Sequence, residues 1–151
     1  MIKLQNVYPI TYKTSHPDNF AISSVLQGSY DLFYNEEIQN RREAFYPPFT
    51  RFISIEFSGK DEKKVEKQAQ IFSSLIPNKH EAIIKLGPVK PYVSRIRSQY
   101  RRIIILKNLK NKDASGKILR QILNNAKNEY SARYSTSAVR FTIDIDSYSG
   151  M

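Results

Sequence analysis

The 151-residue chain has the length of one domain with an appendage, long enough to bury a core without covalent or metal staples. It contains no cysteine, which excludes disulfides, thiolate zinc sites, iron–sulfur clusters and cysteine nucleophiles, and no run of about 18 apolar residues that would cross a membrane. Lys and Arg number 24 against 14 Asp and Glu, a net charge of +10, which favours a polyanionic partner.

Residues 4–14 are predicted to form a short strand, with Pro9 placing it at an edge or a bend. Ser15-His16-Pro17-Asp18 is a helix-start signal, and Phe20, Ile22, Val25 and Leu26 predict a short helix ending near Gly28. A second helix is predicted over 30–44, stopped by Tyr46-Pro47-Pro48-Phe49 because proline removes an amide donor and restricts the residue before it. From Phe49 to Ser58 the apolar residues alternate, the signature of a strand. Ser58 and Asp61 have capping-box spacing, and the next helix carries Val65, Ala69, Phe72 and Leu75 or Ile76 on one stripe. A second strand is predicted over 82–86, stopped by Gly87-Pro88. A third runs over 100–107, apolar on both faces as a central strand is. Another helix is predicted to begin within 111–115, with Ile118, Leu119, Ile122, Leu123, Ala126 and Tyr130 inward, and a last strand alternates from Val139 to Asp146.

From residue 49 the order is β-α-β-β-α-β. This predicts an α+β, ferredoxin-like split β-α-β fold, with a four-stranded antiparallel sheet, two helices on one face and an N-terminal strand and helix extension. Phe52, Ile104 and Leu106 lie opposite in parity to the main core positions of their strands. The second sheet face is therefore partly apolar, and the N-terminal elements are expected to cover some of it.

The charge is localised. Residues 85–120 hold eleven Lys and Arg against one acid, Asp113, so the entire excess falls in this segment and the remainder of the chain balances. Within it, Lys90, Arg95, Arg97, Arg101, Arg102 and Lys107 are interleaved with Tyr92 and Tyr100. Arginine forks match phosphates, and tyrosine rings stack on exposed bases. If the segment is extended, Arg95, Arg97 and Arg101 share one side, about 7 Å apart. The plainer alternative is a solvated hairpin whose charges blunt a sheet edge.

Other candidates are weaker. Asp144 and Asp146 face one way on a strand but have no third ligand nearby in sequence, so they read as a polar outer face able to pair with the basic segment. His16 and His80, the only histidines, read as surface or capping residues. No Walker-type or dinucleotide glycine pattern is present, and no group suggests a nucleophile with its base. The chain by itself reads as non-catalytic.

Three stretches in series carry a family resemblance: Ile38 to Phe49 ending in Tyr46-Pro47-Pro48-Phe49; Leu86-Gly87-Pro88-Val89 with Arg95 to Arg101; and Val139 to Asp146. Together they resemble the C-terminal region of bacterial primosomal protein N′, the replication-restart DNA helicase. The stretch from Thr11 to Ile22 is similar to the last strand and helix of its second helicase lobe. The resemblance implies a division into 1–28, a remnant of that lobe; 29–48, a linking helix and turn; and 49–151, a DNA-binding α+β domain. The fragment would contact DNA through Lys90, Arg95, Arg97, Tyr100, Arg101, Arg102 and Lys107. Its implied partners are branched or single-stranded DNA, single-stranded-DNA-binding protein, other primosome components and the missing helicase lobes, in the bacterial cytoplasm. The alternative implied role is docking: receiving the acidic tail of single-stranded-DNA-binding protein and packing on the lobes. ATP, magnesium and zinc belong to the full-length family; no cofactor is expected in this piece. Phe45 and Ser98 stand where the family usually has glycine, a substitution that bears on local backbone angles.

Overall fold

Strict alternation over residues 50–59 produces the central strand β1, Thr50–Gly59, which buries Ile53, Ile55 and Phe57 on one face. The computed structural model describes residues 15–146 except Pro17 and Ser135, so the strand expected over 4–14 lies outside the described residues. Before β1 come α1, Phe20–Leu26, and α2, Tyr30–Glu43. The chain divides into two compact units after Asn40. In the first, the rings of Phe20 and Phe33 stack at 5.9 Å. The cap of α1 is Asn19, whose side chain accepts from the Ala21 amide, rather than the Ser15–Asp18 segment.

In the second unit β1 leads to α3, Glu62–Ser74, and β2, Ile83–Val89. A two-residue strand β3, Arg95–Ile96, and the long β4, Gln99–Leu109, follow. The chain ends with α4, Lys117–Arg133, and β5, Val139–Ile145. The sheet order is β2-β4-β1-β5, all pairs antiparallel, with β3 paired to β4. This is the expected split β-α-β arrangement, extended by one short strand. Helix α3 contacts β1, β2, β4 and β5, and with α4 it closes one sheet face. The core centres on Phe57, whose ring meets Phe72 at 5.5 Å and both Tyr130 and Phe141 at 5.8 Å. The Tyr130 hydroxyl donates to Gln68 Oε1 at 2.7 Å, and burial raises its pKa.

Three boundaries differ from expectation. The cap of α3 is Asp61 alone, accepting from Lys64 N at 3.1 Å, because Ser58 is still held in the β1 ladder. Strand β2 runs through Gly87-Pro88 instead of stopping there. It is an edge strand, its register shifts between Leu86 and Val89, and a bulge at an edge tolerates proline. Gly87 has φ +91, and a Cβ there would lie 2.7 Å from the Ile103 carbonyl oxygen. Helix α4 starts at Lys117, not within 111–115. That stretch is a turn through which Asp113 caps the helix from outside. The Asp113 carboxylate is buried and accepts from the amides of Leu119 (3.0 Å) and Ile118 (3.3 Å) and from Asn108 Nδ2 (3.1 Å). Arg51 completes this network by donating to Asn108 Oδ1 and the Asp113 carbonyl.

The face away from the helices is partly apolar, but through Phe52, Ile103 and Ile105; Ile104 and Leu106, expected there, pair with Ile55 and Ile53 and lie in the core beneath the helices. Its buried Phe52 is covered by Tyr46, stacked at 6.2 Å. Among the described residues no helix is long and apolar enough to cross a membrane.

Candidate nucleic-acid interface

The basic segment is folded into a hairpin. Arg95 pairs with Tyr100 and Ile96 with Gln99, leaving Arg97-Ser98 as a two-residue turn. Both turn residues have positive φ, 48° and 61°, the combination that lets a tight turn follow the right-handed twist of its strands. The expected row of Arg95, Arg97 and Arg101 on one side is therefore broken: Arg97 is the tip, and Arg95 and Arg101 point to opposite sheet faces.

The seven cationic and aromatic candidates separate by what already holds them. Arg95 lies over the Tyr100 ring, 5.0 Å from its centroid, and is otherwise exposed. Tyr100 is half-buried beneath it, so the free stacking ring of the segment is Tyr92, which is fully exposed. Arg97 is exposed and has no acidic partner among the described residues. Lys90 Nζ pairs with Glu62 at 2.9 Å. Arg101 grips both carboxylate oxygens of Glu56 and donates to the Val93 carbonyl, and the Glu56 hydrogen bonds raise its pKa further. Arg102 is on the helix face, 3% exposed, bonded to Glu62 at 2.9 Å and Glu66 at 3.1 Å. Hydrogen bonds from Arg102 first, then Lys90, hold the Glu62 carboxyl below its usual pKa. Lys107 donates to the Ala44 carbonyl at 2.9 Å and sits 4.1 Å over the Tyr46 ring, and burial lowers its pKa.

The strand register brings in a cation that the charge count could not find. On the open face Ser58 of β1 lies opposite Arg101 of β4 on one side and Arg140 of β5 on the other. At one strand spacing each, the two arginine backbones stand about 10 Å apart. Arg140 is exposed and has no acidic partner among the described residues. Arg97, Arg101 and Arg140 line a groove of about 450 Å3, with Glu56 and Thr142 in the next row of its floor and Ile96 on its wall. The sequence signal for Arg140 was its alternation in β5, but only pairing through β1 sets it beside a hairpin forty residues earlier.

Among the described residues no three His, Asp or Glu side chains gather as a metal site, and Asp144 and Asp146 share none with a histidine. His80 Nδ1 accepts from the Ala82 amide at 3.1 Å, a turn role.

Sheet order, two helices on one face and a cationic hairpin at the other define an α+β domain of the split β-α-β class. The model of the primosomal protein N C-terminal domain matches residues 42–148, and the chain belongs to that family. Relatives named replication restart protein PriA match as well. That of Borreliella burgdorferi is 32% identical over 97 residues, 64% of this chain, and that of Rickettsia conorii 34% identical over 96 residues, 63% of this chain. That of Bacillus subtilis is 26% identical over 140 residues, 92% of this chain. The matches span 15%, 14% and 17% of those proteins, so this chain corresponds to a small part of their length.

Proposed function

We propose that this chain is the DNA-binding C-terminal piece of a replication-restart helicase, and that it holds DNA through the exposed cations Arg95, Arg97 and Arg140 with Tyr92 as a stacking ring. The observation that carries this reading is the convergence of Arg97 and Arg140, both exposed and neither matched by an acid among the described residues, on one groove. Arg101 stays paired with Glu56 and adds positive charge beside them. Lys90, Arg102 and Lys107 act by shaping the domain. The reading assigns no catalysis, nucleotide or metal to the fragment; ATP, magnesium and zinc chemistry would belong to the rest of the protein.

Three phosphate contacts give a slope of log affinity against log salt of about −2.7 on duplex DNA. Titration against forked, single-stranded and duplex DNA at two salt concentrations tests it, and a slope near zero overturns it.

A second, docking reading has its own support. Leu86 and Val89 are 44% and 47% exposed beside Ile105 and Ile103, an apolar strip at the sheet edge that suits packing on another domain of the full-length protein. Competition between DNA and an acidic single-stranded-DNA-binding-protein tail peptide separates a shared site from two independent ones.

A further inference from the structure

The groove beside the hairpin has a chemistry that phosphate alone does not use. Its rim is cationic, from Arg97, Arg101 and Arg140, but its floor carries a carboxylate, Glu56, with Thr142 directly opposite it on β5. Its wall is Ile96. A carboxylate at a phosphate site repels the ligand, so a surface made only for backbone contacts would not place one at its centre. Arg101 uses one lone pair on each Glu56 oxygen, through Nε and Nη2. A carboxylate has about four acceptor positions, so two remain for a ligand. The volume of about 450 Å3 lies at the lower end of the range that holds a small ligand.

We infer that this groove receives one unpaired nucleotide whose base bears an exocyclic amine. Glu56 accepts from that amine, Ile96 touches the base face, and Arg97 and Arg140 hold the flanking phosphates. Cytosine offers an N4 amine to a carboxylate, whereas thymine presents an O4 acceptor at the same place and meets Glu56 with repulsion. Arg101 and Arg140 stand on either side of Ser58, about 10 Å apart, a gap that admits a single strand. The inference rests on the nucleic-acid reading above and goes further, because it makes Glu56 a specificity residue rather than only the partner of Arg101. Arg101 in turn fixes Glu56 in direction through Nε and Nη2, so the acceptor is in place before the base arrives.

The test is a fluorescence-anisotropy titration of the full chain with short oligodeoxycytidine, oligothymidine and an abasic strand of equal length. The two pyrimidine strands have the same charge and similar ring size, so their difference isolates the base edge. Wild type is expected to bind oligodeoxycytidine about tenfold more tightly than oligothymidine, with the abasic strand weakest. Glu56→Gln keeps an acceptor for Arg101 and adds a donor for O4, so it is expected to bring the two pyrimidine strands to within about twofold. Equal binding of the two strands by wild type, or a preference that survives in Glu56→Gln, overturns the inference while leaving the nucleic-acid reading standing. Failure of every strand to bind overturns both. The wild-type comparison stands even if the variant does not fold, which circular dichroism reports.

Discussion

Arg101 and Glu56 meet in a two-pronged ion pair on the open face of the sheet, Nε to Oε1 at 2.9 Å and Nη2 to Oε2, while Arg101 Nη1 reaches the Val93 carbonyl at 3.0 Å. One side chain thereby joins β1, β4 and the loop that leads into the hairpin. The backbone amide of Arg101 adds to this by donating to the Ser94 carbonyl. The pair is about one-fifth to one-third exposed, so solvent screens part of its strength. Arg101→Ala is expected to lower stability by about 1–2 kcal/mol, read from the urea midpoint. It should also speed hydrogen exchange at the amide of residue 101, which donates to the Ser94 carbonyl, and in β3, and unchanged exchange there would count against the bracing role.

Arg97 and Ser98 hold left-handed backbone that costs a non-glycine residue about 1–2 kcal/mol. Ser98→Gly relieves this at φ 61°, less the roughly 0.5–1 kcal/mol that glycine adds in unfolded-state entropy. It is expected to raise stability by up to about 1 kcal/mol without changing DNA affinity. Arg97→Gly relieves the same kind of strain but removes the tip cation, so stability should hold or rise while affinity falls. Phe45, at φ 54°, and Asp146, at φ 58°, are the other described positions of this kind, and Phe45→Gly tests whether the same relief occurs next to the proline turn. Paired denaturation and binding curves check all three.

Arg102 and Arg97 provide opposite signatures. Arg102 is buried against Glu62 and Glu66, and Arg102→Ala is expected to cost about 2 kcal/mol while leaving DNA affinity of the folded domain unchanged. Arg97→Ala is expected to do the reverse, with the salt slope reduced by about one. Loss of DNA binding in a folded Arg102→Ala protein would show that the buried guanidinium reaches the ligand after all.

Asp113 sets an acid limit. Burial by itself would raise its pKa, but the Leu119 and Ile118 amides and Asn108 outweigh it and hold the carboxyl below its usual value. A depressed carboxylate pKa means that the folded state binds its proton less readily than the unfolded state does. Its contribution is therefore complete above about pH 4, the unfolded value, and is lost as pH falls through the lower folded value. Asp113→Ala is expected to cost about 3 kcal/mol, since it also strips partners from buried Asn108 and the first turn of α4. It should flatten the acid limb of a stability-against-pH curve, and an unchanged limb would assign acid sensitivity to other groups.

The chain order of elements was legible because each depends on neighbours in sequence. Alternation from Thr50 to Ser58 and from Val139 to Ile145 marks strands with one buried face, and the stripe Val65, Ala69, Phe72, Ile76 marks a helix with one. The antiparallel split order followed from that sequence of elements. Boundaries were less legible where a distant group decides them. Asp113 caps α4 from a preceding turn, and β2 continues through Gly87-Pro88 because β4 supports a bulge at the sheet edge.

The sequence by itself determined where the positive charge lies along the chain. Only the tertiary structure decided which of those charges are held by acids or carbonyls and which stand exposed. Lys90, Arg101, Arg102 and Lys107 are adjacent in sequence to Arg95 and Arg97 but are drawn to Glu62, Glu56, Glu66 and the Ala44 carbonyl, while Arg140 arrives from forty residues away. The reason is that a strand alternates its side chains between two faces and pairs with partners remote in sequence. Neighbouring arginines therefore separate onto opposite faces, and those that share a groove need not be neighbours along the chain.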